Sequence, residues 1–310
     1  MRSAYRYREQ DMKQKLMLIV NPVAGKAHYK VGFGDVMRIF SEGGYRTTVY
    51  FTEAQGDAIR FAAEFAPQYD LVACIGGDGT LSEVMSGLMA VPKEQRPRLG
   101  YIPMGSTNDV ASTLGLPKVA VEAAHRIIHG DVTPFDVGSF GEGSYFTYVA
   151  AFGAFTDVSY ETPQNEKAAL GHLAYVLQGL AQLPRQLKPT HARITTAEGE
   201  CFEGDFLYGG ASNSTSVAGL IKLKKDLVSL SDGVFEAMLI RNPRNVAEFS
   251  RIVTSVLGQN FNNEYVQLVQ SRELKFEFDE PVAWTRDGEA GGVVREVILR
   301  NNHAAVNIIA

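Results

Sequence analysis

The chain has 310 residues, of which 45% are hydrophobic and 21% charged, and its formal net charge is −5. This length is typical of two domains. The negative charge disfavours a general nucleic-acid-binding protein, which would carry a strong excess of Lys and Arg. The only two cysteines, Cys74 and Cys201, do not indicate a disulfide framework. We also expect no signal peptide and no transmembrane segment, because no run approaches the ~18 apolar residues that span a bilayer.

The first 137 residues alternate short apolar runs with helical patterns. Strands are expected at Lys15–Val20, Tyr45–Thr52, Asp70–Ile75 and Leu99–Pro103. Helices are expected between the first two strands and at Gly56–Phe65, Leu81–Met89, Asp109–Leu114 and Val119–His129. Strands that alternate with helices, each strand nearly continuous in apolar residues, predict an α/β domain with a parallel sheet flanked by helices.

The pattern changes near Val137, where the glycine-rich stretch 138–143 is typical of a turn or linker. Beyond it, strands are expected at Tyr145–Ala151, Ala192–Thr196, Phe202–Tyr208, Val234–Ile240, Val266–Phe278 and Val293–Leu299, with helices at Glu166–Leu187 and Val246–Leu257. We therefore expect residues 138–299 to form an antiparallel, β-sandwich-like domain. Residues 300–310 could form a last strand that rejoins the first domain.

The most specific motif is the glycine loop Gly76-Gly77-Asp78-Gly79-Thr80, which follows a predicted strand and opens a helix. Backbone N–H groups and the helix dipole bind phosphate at such a place. Glycine lets the backbone approach phosphate oxygens because it has no Cβ atom. A carboxylate beside a polyphosphate needs a compensating charge, and Mg²⁺ is the simplest choice for Asp78. A plain strand-to-helix turn with Asp78 as its N-cap is the alternative.

Two further loops follow predicted strands. Residues 21–26, Asn-Pro-Val-Ala-Gly-Lys, come after the first strand, and residues 105–109, Gly-Ser-Thr-Asn-Asp, come after the fourth. The first loop lacks the leading glycine and the Ser/Thr of a Walker A loop. In open parallel sheets, ligands bind outside the carboxyl ends of the strands. We therefore expect the three loops to converge on one ligand, although each alone is also an ordinary turn.

These motifs occur in an order that resembles the bacterial diacylglycerol kinase family, whose relatives include sphingosine and ceramide kinases. The resemblance continues through Glu83, Gly87, Ser231-Asp232-Gly233 and Asp287-Gly288-Glu289, and so covers the chain from residue 16 to about 290. It implies the fold shared by NAD kinases and diacylglycerol kinases. It also implies an ATP-dependent lipid kinase that transfers the γ-phosphate of ATP to diacylglycerol or a similar lipid. Such a protein would be cytoplasmic and would meet its lipid substrate at the inner face of the membrane.

The resemblance implies that ATP binds in a cleft between the two domains, with Mg²⁺ on its phosphates. The implied ATP-contacting residues are Asn21, Pro22, Val23, Ala24, Gly25, Thr52, Gly76, Gly77, Asp78, Gly79, Thr80, Leu81, Ser82 and Thr107. Ser82 stands where the family often has Asn, and a hydroxyl is shorter than an amide. This departure affects the details of phosphate contact rather than the class of enzyme.

The resemblance also implies an acidic network of Asp78, Asp109, Asp287 and Glu289. Phosphoryl transfer needs a group that accepts the proton of the substrate hydroxyl. We favour Glu289 for this role, but the sequence leaves Asp287 open, and Asp-Gly is also a common hairpin turn. A structural Mg²⁺ is implied at Ser229, Asp232 and Val234, through one carboxylate and two backbone carbonyls.

Two other functions remain open. An NAD kinase would use the same glycine loop, but residues 104–109 stand where that family typically has an Asn-x-Gly-x-Leu-Gly pattern. A non-catalytic nucleotide- or lipid-binding regulator is disfavoured by the complete set of carboxylates. The stretch 168–187 repeats leucine at helical spacing, so it either packs on the core or lines a lipid entrance. The sequence leaves open which lipid is used and whether two copies form a homodimer.

Overall fold

The computed structural model describes residues 14–24, 32–153, 189–213, 216–217, 221–222 and 229–310. Gly25 of the first loop and the stretch predicted as the helix Glu166–Leu187, with its leucine repeat, lie outside these residues. Among the helices in the described ranges, none combines the length and the apolar character that a membrane span requires.

The first part of the chain forms a parallel sheet covered by helices. Its strands are β1 (Gln14–Val20), β2 (Tyr45–Phe51), β3 (Leu71–Gly76) and β4 (Arg98–Pro103), in the order β2-β1-β3-β4. The helices are α1 (Phe33–Glu42), α2 (Asp57–Phe65), α3 (Asp78–Met89), α4 (Asp109–Leu114) and α5 (Ala120–His129). All residues of β3 are buried, as expected of a strand covered on both faces. The predicted α/β arrangement is therefore present.

The helices lie on both faces of this sheet because each carries one apolar stripe. Helices α2 and α3 contribute Ala58, Ala62, Leu81, Val84 and Leu88 to one core. Helices α1 and α5 contribute Val36, Ile39, Phe40, Ala123 and Ile127 to the core on the opposite face. The loops at the strand ends are left between these layers, at the edge where a ligand has access.

The second part of the chain is dominated by antiparallel strands. They are β5 (Val132–Phe140), β6 (Tyr145–Phe146), β7 (Val149–Gly153), β8 (Thr190–Thr196), β9 (Cys201–Ser212), β10 (Ser216–Val217), β11 (Ile221–Lys222), β12 (Phe235–Arg241), β13 (Val266–Ser271), β14 (Glu273–Arg286) and β15 (Glu289–Ile309). Helix α6 (Val246–Leu257) packs Phe249 and Ile252 against Met238 and Ile240 of β12. The expected antiparallel character of this part is therefore present.

Several predicted boundaries differ from the structure. The glycine-rich stretch after Val137 begins inside β5, because Gly138 makes room for the ring of Phe146 on the adjacent strand rather than forming a turn. The strand predicted at Val266–Phe278 is two strands, β13 and β14. The strand predicted at Val293–Leu299 is the middle of the 21-residue β15.

Strand β15 joins the two parts of the molecule. It pairs antiparallel with β14 at its start and with β5 further on, and Ile308 near its end pairs in parallel with Leu99 of β4. The register shifts between Asn302 and Val306, where Ala304 has a φ of 47°. The described strands, apart from the β10–β11 hairpin, thus form one continuous sheet.

Because the sheet is continuous, the antiparallel part differs from the β-sandwich-like arrangement that the sequence predicted. Within the described residues the antiparallel part is not two packed sheets, because its strands other than β10 and β11 are hydrogen-bonded in one sheet that curls on itself. Strands β6 and β12 lie far apart in strand order, yet the rings of Phe146 and Phe235 stack with centroids 5.3 Å apart. The two sides of the curled sheet therefore face each other around an aromatic core that includes Phe152, Phe276 and Trp284.

Glu236 on β12 is a buried carboxyl group outside the catalytic motifs. Its Oε1 accepts a hydrogen bond from Nε2 of Gln270 at 3.2 Å, and its Oε2 is buried with no hydrogen-bond partner. Burial raises the pKa of Glu236 from 4.5 to about 8, and the charge of Asp232 adds to this rise. A pKa that is higher in the folded state stabilises the fold at low pH, and this contribution is lost as pH rises from about 4.5 towards 8.

We therefore expect Glu236→Gln to flatten the loss of stability between pH 5 and pH 8. The variant should become more stable than the parent protein as pH rises, because the neutral amide need not be desolvated as a charge. Urea unfolding at several pH values measures this difference. Glu280→Gln, at an exposed acid on β14, is the matched control and should leave the profile unchanged. Parallel pH profiles for the parent protein and Glu236→Gln would contradict the prediction.

Candidate active site

The carboxyl ends of the parallel strands lie side by side. Backbone hydrogen bonds connect the residues that follow them: Asn21 N–H donates to Ile75 O at 2.9 Å, Thr52 N–H donates to Val20 O at 2.9 Å, and Met104 N–H donates to Gly76 O at 2.7 Å. These bonds therefore arrange four segments in one row along the edge of the sheet: the first loop, Thr52, the glycine loop and the loop at 105–109.

The glycine loop and the loop at 105–109 are in direct backbone contact. A Cβ atom on Gly105 would lie 2.6 Å from Cα of Gly77, so this packing requires glycine. The side chain of Asn108 closes the second loop, since its Oδ1 accepts from Gly105 N–H at 2.9 Å and its Nδ2 donates to Gly105 O at 2.8 Å. Half-buried Thr107 lies in this closed loop. The two loops thus form one compact surface at the end of the sheet.

Asn21 ties the first loop to the glycine loop. Its Oδ1 accepts a hydrogen bond from Val23 N–H at 3.1 Å, and its Nδ2 donates to Oγ1 of Thr80 at 3.1 Å. Ala24 N–H donates to Asn21 O, so residues 21–24, which include Pro22, form a turn. The side chain of Val23 is 84% exposed.

Asp78 opens α3 and also holds the start of α4. Its Oδ2 accepts from the N–H of Asp109 at 3.0 Å and its Oδ1 from the N–H of Val110 at 3.4 Å. Burial raises the pKa of Asp78, these hydrogen bonds oppose the rise, and the charge of Asp287 adds to it. The charge of Asp287 therefore acts on the carboxyl group of Asp78. Asp109 enters this arrangement through its backbone.

Asp287 and Gly288 form the turn between β14 and β15, with φ values of 48° and 81°. Positive φ at both residues is the geometry of a tight hairpin turn that Asp-Gly favours. The carboxylate of Asp287 is buried and accepts N–H groups of Thr147, Tyr148 and Val149 at 2.7 to 3.1 Å. It also accepts the hydroxyl of Ser82 at 2.5 Å. Burial raises the pKa of Asp287 although these donors oppose the rise.

Glu289 has a different environment from Asp287. It is exposed, and its Oε2 accepts a hydrogen bond from Nε2 of Gln55 at 2.7 Å. Its Oε1 would lie 3.4 Å from a Cβ atom on Gly79, so the carboxylate lies against the glycine loop. The sequence left the choice between these two acids open. In the structure, Asp287 connects α3 to the antiparallel part through its hydrogen bonds, whereas Glu289 is accessible beside the glycine loop.

Two of the implied ATP-contacting residues, which follow the glycine loop in α3, are less accessible than the resemblance implies. Leu81 is fully buried in the core, and its N–H donates to Gly77 O at 3.1 Å. The hydroxyl of Ser82 is directed to Asp287. Leu81 therefore supports the start of α3, and the hydroxyl of Ser82 connects this helix to the antiparallel part.

Two residues of the site had no assigned role in the sequence. Glu83 on α3 accepts the N–H groups of Gly56 and Ala58 at 2.9 and 3.2 Å, which fixes the start of α2. Gln55 lies just before this helix and reaches Glu289. Glu83 belongs to the motif that the resemblance covers, but Gln55 lies in a polar turn that no motif marks.

The turn at 229–234, the candidate structural cation site, is rich in oxygen acceptors. Val234 O accepts from Nδ2 of Asn301 at 2.9 Å, and the Oδ1 of the same Asn301 is buried with no donor. Asp232 Oδ1 accepts from Val234 N–H at 3.2 Å, and Ser229 Oγ accepts from Ser231 N–H at 3.3 Å. One carboxylate beside carbonyl oxygens fits a hard cation such as Mg²⁺. Within the described residues no group of three His, Cys, Asp or Glu forms an alternative metal site.

Comparison with known proteins agrees with the resemblance of the motifs. A family model described as the diacylglycerol kinase catalytic domain matches residues 15–140. The diacylglycerol kinase of Bacillus subtilis (strain 168) is 36% identical over 284 residues, which cover 91% of each chain. The diacylglycerol kinase of Staphylococcus aureus (strain MRSA252) is 32% identical over 320 residues, which cover 96% of this chain and 99% of that protein.

The fold is also similar to solved structures. A crystal structure of a diacylglycerol kinase from Bacillus anthracis str. Sterne covers 96% of both chains with a TM-score of 0.71 at 23% identity, which supports the fold alone. Another crystal structure from the same organism covers 96% of this chain and 97% of that chain, with a TM-score of 0.76 and 26% identity. Because the two diacylglycerol kinases from Bacillus subtilis and Staphylococcus aureus match almost the whole chain, this protein belongs to the diacylglycerol kinase family and is a kinase.

Proposed function

We propose that the protein transfers the γ-phosphate of ATP to the hydroxyl group of diacylglycerol or a similar lipid. The observation that carries this proposal is the position of Glu289, whose carboxylate lies against Gly79 where α3 begins. If the start of α3 binds phosphate as proposed, an accessible carboxylate beside it would act as a proton acceptor next to the phosphate to be transferred. Family membership supports a lipid as the acceptor.

ATP is proposed to bind along the row of loops at the sheet edge. Its phosphates would accept hydrogen bonds from backbone N–H groups of the glycine loop, where the α3 dipole favours negative charge. The first loop, Thr52 and Thr107 would contact the rest of the nucleotide. Asp78 would hold Mg²⁺ on the phosphates, since its carboxylate lies at the α3 start. Bound Mg²⁺ would neutralise the charge that develops on the phosphate oxygens.

In the proposed reaction Glu289 accepts the proton of the lipid hydroxyl. The lipid oxygen then forms a bond to the γ-phosphorus while the bond from that phosphorus to the β-phosphate oxygen breaks, and ADP leaves. Asp287 does not take part directly, because four donors enclose its carboxylate. It holds the turn that presents Glu289.

We propose that each of the two parts of the chain binds one of the two substrates. Residues 1–137 with the last strand at 300–310 would bind the nucleotide, and residues 138–299 would bind the lipid. The lipid would be taken from the inner face of the membrane by a cytoplasmic protein. The turn at Ser229, Asp232 and Val234 is proposed to hold a structural Mg²⁺ that stabilises the lipid-binding part.

A phosphate-transfer assay tests this function. The protein is incubated with γ-labelled ATP, Mg²⁺ and mixed micelles that contain diacylglycerol, monoacylglycerol, a sphingoid base, an undecaprenyl-type alcohol or phosphatidylglycerol, and in parallel with NAD. We expect label in the diacylglycerol fraction, or in one of these chemically similar lipids, and none in NADP. Label in NADP alone would favour the NAD kinase alternative, and ATP binding without any labelled product would favour a regulator.

A further inference from the structure

Gln55 connects the α/β part of the molecule to the β14–β15 hairpin, which carries Glu289. Its Nε2 donates a hydrogen bond of 2.7 Å to Oε2 of Glu289, which lies 234 positions later in the chain. The bond joins the loop that follows β2 to the first residue of β15. It reaches the carboxylate that the proposed reaction uses as the proton acceptor.

The loop that carries Gln55 is held in place by two carboxylates. Oδ2 of Asp57 accepts the N–H groups of Glu53 and Ala54 at 2.9 and 3.0 Å. These bonds, with a bond from Arg60, lower the pKa of Asp57 to about 2. On the other side of Gln55, Glu83 accepts the N–H of Gly56 at 2.9 Å, and Gly56 takes a φ of 87° that favours glycine. The backbone on both sides of Gln55 is thus fixed before any ligand binds.

The backbone of Glu289 is fixed as well, but by different residues. Asp287, two positions earlier, is held by Ser82 and by backbone N–H groups of the antiparallel part. The side chain of Glu289 is exposed, and restricting the rotamers of an exposed Glu costs conformational entropy. A hydrogen bond from a rigid loop selects one of these rotamers in advance.

We propose that Gln55 is a positioning residue that holds the carboxylate of Glu289 against the glycine loop. The amide occupies Oε2, while Oε1 lies on the side of Gly79 and is directed to the proposed phosphate site. An amide donor is neutral, so it orients the carboxylate without cancelling the negative charge that attracts the substrate proton. This inference deepens the proposed function and rests on it.

Gln55→Met tests the role, because methionine keeps the length of the side chain and removes its N–H donors. We expect kcat for lipid phosphorylation to fall about 10- to 100-fold while KM for ATP changes less than about twofold, as for a lost catalytic orientation. Gln55→Glu should lower kcat further, since two carboxylates would repel each other. Gln68→Met replaces an exposed glutamine at the opposite end of the sheet and should leave kcat unchanged.

A second measurement reports the contact without relying on activity. In a Cys201→Ser background, Gln55→Cys and Glu289→Cys are combined and treated with a short bifunctional maleimide. We expect an intramolecular crosslink in the double variant and none in either single variant, because Cys74 is buried. Absence of the crosslink would overturn the contact.

The two measurements separate the possible failures. If the parent protein labels a lipid and Gln55→Met keeps the parental kcat, the positioning role is wrong and the proposed function stands. If KM for ATP rises while kcat stays the same, Gln55 binds nucleotide instead, which also overturns the inference. If the parent protein labels no lipid, the proposed function is wrong. The positioning role of Gln55 in catalysis is then wrong as well, even if the crosslink forms.

Discussion

Glu289→Gln is expected to lower kcat for lipid phosphorylation about 10³-fold while the Kd for ATP changes less than about twofold. A general base contributes typically about 10²–10⁴ to the rate, and an amide cannot accept the substrate proton. Glutamine has the shape of glutamate, and its side-chain oxygen still accepts the hydrogen bond from Gln55. The substitution therefore removes the chemistry and keeps the packing. Steady-state kinetics in mixed micelles and equilibrium ATP binding measure the two effects.

The control for this experiment lies on the same hairpin. Glu280→Gln changes an exposed acid on β14 by the same chemistry and should leave kcat unaltered. Substantial residual activity in Glu289→Gln would contradict the assignment and move the role of proton acceptor to Asp287. For Asp287 to act as the proton acceptor, its carboxylate would have to break its hydrogen bonds to the backbone N–H groups of Thr147, Tyr148 and Val149.

The sequence predicts much of the α/β part because its signals are local. The strand that ends at Gly76 is continuous in apolar residues, and the glycine loop that follows reads directly as a strand-to-helix turn. Parallel strands bring their carboxyl ends together by topology alone, so the convergence of the loops after β1, β3 and β4 could be expected. These features depend on neighbouring residues and on the order of the strands.

The parts that could not be predicted depend on contacts between distant residues. Gly138 lies in a glycine-rich stretch that is typical of a turn. In the structure it lies in a strand, where the absence of a Cβ atom leaves space for the ring of Phe146. The length of β15 depends on three different partner strands in turn, so no local pattern marks its ends. The bond between Gln55 and Glu289 joins an unmarked polar turn to a late hairpin, and only the folded chain brings them together.

Asp287→Asn is expected to destabilise the fold by about 2–4 kcal/mol and also to reduce kcat strongly. The carboxylate accepts three backbone N–H groups and the hydroxyl of Ser82, all in a buried place. An amide has one oxygen for these donors, and its NH₂ group would face N–H groups with nothing to accept from it. Urea unfolding measures the stability, and the micelle assay measures kcat.

A matched pair of variants shows whether this loss comes from the enclosed carboxylate. Asp205→Asn, at a half-exposed acid that pairs with His191, should cost well under about 1 kcal/mol. Ser82→Ala removes one of the four donors to Asp287 and should fall between the two. Because Asp287 ties α3 to the antiparallel part, its loss should affect stability and turnover together. Glu289→Gln should affect turnover alone, and an unfolding midpoint for Asp287→Asn equal to that of the parent protein would contradict this separation.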